Sequence, residues 1–171
     1  MIYRDVPSYF APAGLWLFGN VRLLGADLAL VPRARGRPDH LPIELDAIER
    51  EAEEIALGSQ ILVCGIHNAA HQRSAVVPLR WGAPRILVLS GGFYYHFGKE
   101  LRDEPFRAAR LWRYQFDSTT DLAISRRAPE KLPTFGLYNP TVDRLITMLV
   151  LGTCPGLRSA EDRARVLDPC H

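Results

Sequence analysis

Two histidines four residues apart are the first candidates for chemistry in this sequence. His67 and His71 lie in the stretch CGIHNAAHQRSA, and at this spacing they would share one face of a helix. Zinc peptidases use the same spacing in HExxH, where the glutamate activates a metal-bound water. Here Asn68 occupies the glutamate position, and an amide takes no proton at neutral pH. Because the sequence offers no evident third ligand, it predicts hydrogen-bonding roles for both histidines and no metal site.

Four short apolar runs predict the strands that would position these residues. They are DLALV (27–31), QILVCG (60–65), PRILVLS (84–90) and DLAIS (121–125), which are typical of strands buried on both faces of a parallel sheet. Helical patterns cover residues 41–58, 68–77, 103–115 and 139–152, and Pro78 and Gly82 are expected to end or bend the second helix. This alternation predicts an α/β fold, a Rossmann-like three-layer α/β/α domain with a mainly parallel sheet.

The length and composition fit one domain of ordinary solubility. The 171 residues carry a net charge of +2 with 47% hydrophobic residues, so the total charge shows no strong bias toward nucleic acid or membranes. We expect a single domain over residues 1–152, with residues 1–25 as an aromatic lead-in and 153–171 as a loose tail or short helix. Three cysteines without a CxxC pair favour a reducing compartment, and neither a signal peptide nor a membrane span is evident. The expected location is therefore the cytoplasm.

Candidate binding residues follow the predicted strands at the points where each strand ends. The carboxyl ends of parallel strands share one edge of a sheet, and ligands of open α/β sheets bind beyond that edge. Arginines and helix N-termini there favour anions such as phosphate, and glycines let a ligand approach the backbone. A lone surface arginine is usually only solvated, so the prediction rests on convergence. The predicted ligand-binding residues are Arg33, Arg35, Gly65, His67, Asn68, His71, Gly91, Gly92, Arg126, Arg127 and Arg144.

Several stretches between residues 14 and 150 occur in the order of a known family's motifs. GLWLFGNVRLLG has the pattern L-x-x-x-G-N-x-x-L-L, CGIHNAAHQRSA is similar to G-I-D-A-A-A-H, and RILVLSGGFYYHFG has a strand followed by a glycine turn. The stretch LAISRRAPEKLPTFGLYNPTVDRLI is similar to L-L-S-E-x-P followed by F-P-x-R-N-R-x-I. Together these stretches resemble the DNA-processing protein A family (DprA, also called Smf), a Rossmann-like member of the wider SLOG group.

The resemblance implies a binding protein rather than an enzyme, without a cofactor. Family members bind single-stranded DNA and help load a RecA-type recombinase onto it during DNA uptake, and homodimerisation is left open. By position, Gly65, His71, Gly91, Gly92 and Arg144 match family motif residues, and Arg35 matches the arginine of a G-S-R loop. A strip of arginines at 107, 110 and 113, with aromatic residues at 112 and 114, could add contacts to DNA.

Three departures from the family pattern mark a divergent or trimmed member. The G-S-R loop reads Val31-Pro32-Arg33-Ala34-Arg35 here, so a proline without an N–H replaces a glycine. His67 stands where the family has aspartate. Asp143 stands where it has asparagine.

Three other functions compete with DNA binding. SLOG proteins include nucleotide binders and sensors, which need only the anion-binding edge. Related phosphoribohydrolases carry P-G-G-x-G-T-x-x-E, but LSGGFYYHFG has no glutamate at that spacing and no Ser–His–Asp set is visible. A partner-binding relic that has lost its ligand is favoured by the proline of the first loop.

Overall fold

A computed structural model describes residues 4–36, 39–103, 116–133 and 136–168 of the chain. The strands are β1 (Arg4–Phe10), β2 (Leu15–Gly19), β3 (Leu28–Ala29), β4 (Ile61–Cys64), β5 (Arg85–Leu89) and β6 (Leu122–Ser125). The α-helices are α1 (Pro42–Leu57), α2 (Ala69–Arg80), α3 (Phe93–Phe97), α4 (Pro140–Leu151) and α5 (Ala160–Val166). Two short 3-10 segments, Val21–Gly25 and Pro32–Ala34, flank β3.

The strands form one sheet in the order β1-β2-β6-β5-β4-β3. β3, β4, β5 and β6 are parallel neighbours in chain order, whereas β1 and β2 form an antiparallel hairpin beside β6. The predicted Rossmann-like α/β fold with a mainly parallel sheet is thereby confirmed. The first predicted strand is shorter than expected, because only Leu28 and Ala29 pair with β4 before the chain turns at Pro32.

The aromatic lead-in adds two strands that the sequence analysis did not predict. Along β2, Leu15 and Leu17 are fully buried on one face of the sheet, whereas Trp16 and Phe18 pack on the other, so the strand is covered on both faces. Gly19 pairs with Leu122 at the end of β2, where it adopts a φ of +116°. A Cβ on Gly19 would collide with the backbone carbonyl of Asp121, so this close approach requires glycine.

Alternating side chains of the parallel strands enter two separate cores. Along β4, Val63 faces one core, whereas Leu62 and Cys64 face the other. One core is closed by α1, α2 and α3 through Ile48, Ala52, Ala70, Ala75, Phe93 and Phe97. The opposite core is closed by α4 and α5 through Val142, Leu145, Ile146, Leu149 and Val166. The sheet is therefore the middle of three layers.

The helix boundaries follow local signals in the sequence. The Asn139 side chain accepts a hydrogen bond from the Val142 N–H at the start of α4, and Gly152 ends that helix in the left-handed conformation. Pro78 lies inside α2, which continues to Arg80 before Gly82. A helix was predicted over residues 103–115, and residues 104–115 of it lie outside the described part of the chain. Among the described helices, none combines the length and the apolar character that crossing a bilayer requires.

A fully buried ion pair lies at the N-terminal ends of β5 and β6. The Arg85 Nε atom lies 3.0 Å from Asp121 Oδ2, and neither side chain is exposed. The same guanidinium donates through Nη1 to the Ala75 carbonyl of α2 at 2.9 Å. This pair therefore ties two strands and a helix together at the edge opposite the candidate binding residues.

We expect Asp121→Asn to lower the free energy of unfolding by about 3–5 kcal/mol, because a buried guanidinium would lose its counter-charge. Urea denaturation measures the change. The double variant Arg85→Met with Asp121→Leu is the control, and it should lose less than the single variant because it buries no unpaired charge. A loss below about 1 kcal/mol for Asp121→Asn would show that the pair is not structural.

Candidate functional site

The structure places the predicted binding residues around one edge of the sheet. Parallel strands β3 to β6 end at this edge, and each is followed by predicted residues. Those residues are Arg33 and Arg35 after β3, Gly65, His67 and Asn68 after β4, Gly91 and Gly92 after β5, and Arg126 and Arg127 after β6. Arg144 lies near the start of α4 and His71 near the start of α2. The geometry of each group decides what the edge can bind.

The carboxylate of Asp143 is the centre of the hydrogen-bond network at this edge. Its residue is only 8% exposed, its Oδ2 accepts the Gly36 N–H at 2.9 Å, and its Oδ1 lies 3.1 Å from His71 Nε2. Burial alone would raise the pKa of Asp143, but the adjacent histidines and the Gly36 amide hold it well below its usual range. Asp143 is therefore a carboxylate at neutral pH and joins α4 to α2 and to the loop after β3.

His71 has both ring nitrogens engaged. Its Nδ1 lies 2.9 Å from the Gly65 backbone N–H, which can only donate, so Nδ1 must accept. The ring proton is then on Nε2, where it is donated to Asp143. Burial lowers the pKa of His71, although the contact with Asp143 acts in the opposite direction. His71 is thus a neutral structural link between the β4–α2 loop and α4.

His67 packs against this pair without hydrogen bonds of its own. Its ring lies 4.3 Å from the His71 ring between centroids, and its side chain is 4% exposed. Neither ring nitrogen has a hydrogen-bond partner in the described part of the chain, because Nε2 is 3.6 Å from Asp143 Oδ1. A Cβ on Gly65 would lie 2.6 Å from His67 Nδ1. Glycine at position 65 therefore makes room for the ring.

The two departures from the DprA pattern at positions 67 and 143 meet each other in space. The family has aspartate and asparagine there, whereas this chain has His67 and Asp143, whose side chains face one another next to His71. The carboxylate beside His71 comes from α4. Asp143 was not among the site residues predicted from the sequence, although the paired departures at positions 67 and 143 were a signal for it.

Asn68 links two segments of the edge and is 2% exposed. Its side-chain oxygen accepts the His71 backbone N–H at the start of α2, and its Nδ2 donates to the Leu137 carbonyl at 3.0 Å. Asn68 therefore caps α2 and holds the segment that leads into α4.

Gly91 and Gly92 pack against a neighbouring loop. The Gly91 N–H donates to His96 Nε2 at 3.1 Å, and the Gly92 N–H donates to the Lys131 carbonyl at 2.7 Å. A Cβ on Gly92 would collide with the carbonyl oxygens of Ala128 and Pro129. Both amides expected to cradle a phosphate thus have partners within the protein, and the missing side chains admit the loop after β6.

The arginines at the edge differ in what they contact. Arg33 forms an ion pair with Glu51 of α1 at 3.0 Å. Arg35 donates through Nη1 to the Thr147 hydroxyl at 2.9 Å and lines an open pocket of about 480 Å³. The same pocket is lined by Gly36, Tyr138, Pro140, Asp143 and Arg144. Arg126 and Arg127 instead line a pocket of about 60 Å³ with Ser90, Asn139 and Thr141.

Two groups of basic residues therefore lie near the start of α4, Arg35 with Arg144 and Arg126 with Arg127. Within residues 4–36, 39–103, 116–133 and 136–168, no carboxylate forms an ion pair with Arg35, Arg126, Arg127 or Arg144. These guanidinium groups have no carboxylate partner there, whereas that of Arg33 is paired with Glu51. The predicted strip at 107, 110 and 113, with its aromatic neighbours, lies outside the described residues.

Comparison with solved structures shows a likeness of fold. No protein-family model matches the sequence, and no curated protein matches it. The solved structure of DNA processing protein A from Helicobacter pylori, a protein that binds single-stranded DNA, is similar with a TM-score of 0.55 at 14% identity. The likeness covers 94% of this chain and 74% of the other. At this identity it shows that the two chains share a fold.

We expect Gly92→Ala to destabilise the protein by about 1–3 kcal/mol, because the new methyl group must displace the loop at 128–129. The φ of Gly92 is −75°, which alanine adopts readily, so the loss would come from the collision alone. Thermal and urea unfolding measure it. Gly136→Ala is the matched control, since Gly136 faces open space and should change stability by less than about 0.5 kcal/mol. Equal stabilities for the two variants would contradict this packing.

We also expect His96 to make the protein less stable in acid. Burial lowers the pKa of His96 from 6.5 to about 4, so between these values the unfolded chain binds a proton that the folded protein lacks. This contribution is complete above pH 6.5 and is lost as the pH falls toward 4. Between neutral pH and about pH 4.5, the wild type should lose about 2 kcal/mol more than His96→Gln, whose amide oxygen can still accept the Gly91 N–H. Parallel pH profiles would show that His96 is not buried as a neutral ring.

Proposed function

We propose that this chain binds single-stranded DNA, or another phosphate-bearing ligand, without catalysis, in the pocket between β3 and the start of α4. The observation that carries the proposal is the placement of Arg35, Arg144 and Tyr138 around one opening of about 480 Å³. Arginine forms paired hydrogen bonds with phosphate oxygens, and an exposed tyrosine ring offers a stacking surface for a base. Tyr138 is 54% exposed and thus accessible to such a base.

The charges in the pocket favour one orientation of the ligand. Asp143 contributes a negative charge to one wall, although its oxygens already accept hydrogen bonds from Gly36 and His71. A phosphate would be repelled there and attracted toward Arg35 and Arg144. We therefore place the phosphate on the arginine side and the sugar or base toward Asp143 and Tyr138.

The structural likeness supports testing single-stranded DNA first, since the similar protein from Helicobacter pylori binds it. On the same resemblance, the finer proposal includes a role in DNA processing and uptake, a RecA-type recombinase as a partner and a homodimer. Gly65, His67, Asn68, His71, Gly91 and Gly92 would act in this proposal by shaping the edge, with Arg126 and Arg127 as a second anion-binding group.

A mononucleotide is the second candidate ligand. The pocket of about 480 Å³ is within the range of small-molecule sites, which is about 300–1,000 Å³. A nucleotide sensor would use the pocket alone, whereas a DNA strand would also need Arg126 and Arg127 across the start of α4. The oligonucleotide measurements below therefore separate these two functions.

The test is fluorescence anisotropy with a labelled oligothymidylate at low salt. Arg144→Ala and Arg35→Ala should each weaken binding about fivefold to tenfold and reduce the slope of log K against log salt by about 0.7. Arg33→Ala is the matched control, because Arg33 is an arginine at the same edge that is paired with Glu51, and its affinity should match the wild type. Absence of binding at low salt, or equal losses for Arg33→Ala and Arg144→Ala, would refute the proposal for DNA.

Thermal shift with thymidine monophosphate identifies the second candidate. Stabilisation that grows with nucleotide concentration and disappears in Arg144→Ala, without affinity for the oligonucleotide, would assign a nucleotide-binding function. In that outcome Arg126→Ala should leave the nucleotide response unchanged. If Arg126→Ala instead weakens oligonucleotide binding, the ligand extends across the start of α4.

A further inference from the structure

We propose that His67, His71 and Asp143 form a binding site for a divalent transition-metal ion of the zinc class. One ligand atom from each residue can be chosen so that all three lie within 4.8 Å of one another. From the sequence alone no metal site was predicted, because the histidine pair had no evident third ligand. The fold supplies it from α4, 72 residues beyond His71. This inference does not depend on the proposed DNA-binding function.

The unpartnered ring of His67 is the first observation that indicates a ligand. Its side chain is 4% exposed, and neither nitrogen has a hydrogen-bond partner among the described residues. Leaving a buried polar atom without a partner costs about 1–3 kcal/mol. A metal ion bound at Nε2 would give this nitrogen a partner.

The spacing of the ligand atoms is the second observation. An ion with bonds of about 2.0–2.1 Å in tetrahedral geometry holds its ligand atoms about 3.3–3.4 Å apart. His71 Nε2 and His67 Nε2 lie 3.1 Å and 3.6 Å from Asp143 Oδ1, on either side of that separation. All three ligand atoms lie within 4.8 Å of one another, so a bound ion would draw together those that are farther apart than about 3.4 Å.

The types of ligand select the ion. Two imidazoles and one carboxylate suit Zn²⁺, Co²⁺ or Ni²⁺, whereas Mg²⁺ and Ca²⁺ prefer oxygen ligands throughout. Asp143 also lines the open pocket of about 480 Å³, which provides a path from solvent to the site. The ion would thus enter from the pocket side and keep one coordination position for a ligand from solvent.

Binding through His71 requires its proton to change nitrogen. In the described structure Nδ1 accepts the Gly65 N–H, so Nε2 carries the proton. Coordination needs the lone pair of Nε2; this nitrogen loses its proton while Nδ1 gains one, and the ring stays neutral. The Nδ1–H group would then face the Gly65 N–H, and that hydrogen bond is lost. Metal binding is therefore coupled to a movement of the backbone at Gly65.

The experiment is isothermal titration of the full chain with Zn²⁺, together with visible absorption of the Co²⁺ complex. We expect one ion per chain and the d–d bands of four-coordinate Co²⁺. His67→Ala should weaken Zn²⁺ binding about 100-fold, equivalent to about 2.7 kcal/mol, and should still fold because the ring it removes makes no hydrogen bond. Asp143→Asn should weaken it similarly. His96→Gln is the matched control, since His96 is engaged with Gly91 outside the proposed site, and it should bind as the wild type does.

Amide NMR gives a readout that a structural role alone would not change. The Gly65 amide resonance should shift on addition of Zn²⁺ in the wild type and remain in place in His67→Ala. Absence of Zn²⁺ binding by the folded wild type would overturn the proposal. Affinity that is unchanged in His67→Ala would also overturn it, because the ion would then be bound elsewhere.

Discussion

The buried carboxylate of Asp143 is the interaction on which this edge of the protein depends. Asp143 is only 8% exposed, and a buried charge must be balanced by hydrogen bonds. Two other segments of the chain donate them to Asp143. Gly36 supplies an amide from the loop after β3, and His71 supplies a ring N–H from α2. His71 in turn accepts the Gly65 N–H. One charge therefore fixes the relative positions of the segments that line the pocket.

The sheet carries a buried charge at each edge, and the two differ in access. Arg85 and Asp121 at one edge are fully enclosed and neutralise each other, which suits a structural tie. At the other edge Asp143 meets uncharged His71 and the unpartnered ring of His67, and it also lines an open pocket. The enclosed pair therefore ties the fold together, while the open network leaves the ring nitrogens of His67 without a partner among the described residues.

Much of the fold could be predicted from local patterns. The apolar runs at 60–65, 84–90 and 121–125 form β4, β5 and β6. As predicted, Asn139 caps the start of α4 and Gly152 ends it. The hairpin at residues 4–19 was not predicted, because it joins the sheet through pairing with β6, which is distant in sequence. Its aromatic residues were instead interpreted as a packed segment that leads into the first strand. The first strand was predicted too long, since its pairing with β4 ends at Ala29, before the 3-10 turn that begins at Pro32.

The site was harder to predict because its residues are brought together by tertiary structure. His67 and His71 could be found by spacing, whereas Asp143 lies on another helix and reaches them only after α4 packs on the sheet. Gly91 and Gly92 could be predicted as a tight turn, but the chain segment that approaches them could not be anticipated without the loop at 128–133. Arg33 and Arg35 looked equivalent in sequence, yet only Arg35 faces the pocket.

The state of the His71 ring tests the central role of Asp143 most directly. Nitrogen-15 NMR distinguishes the two neutral tautomers and the protonated ring of a histidine. At neutral pH in the absence of metal, we expect a neutral His71 with its proton on Nε2 and with Nδ1 accepting the Gly65 N–H. A proton on Nδ1, or a fully protonated ring, would contradict the network that joins Gly65, His71 and Asp143.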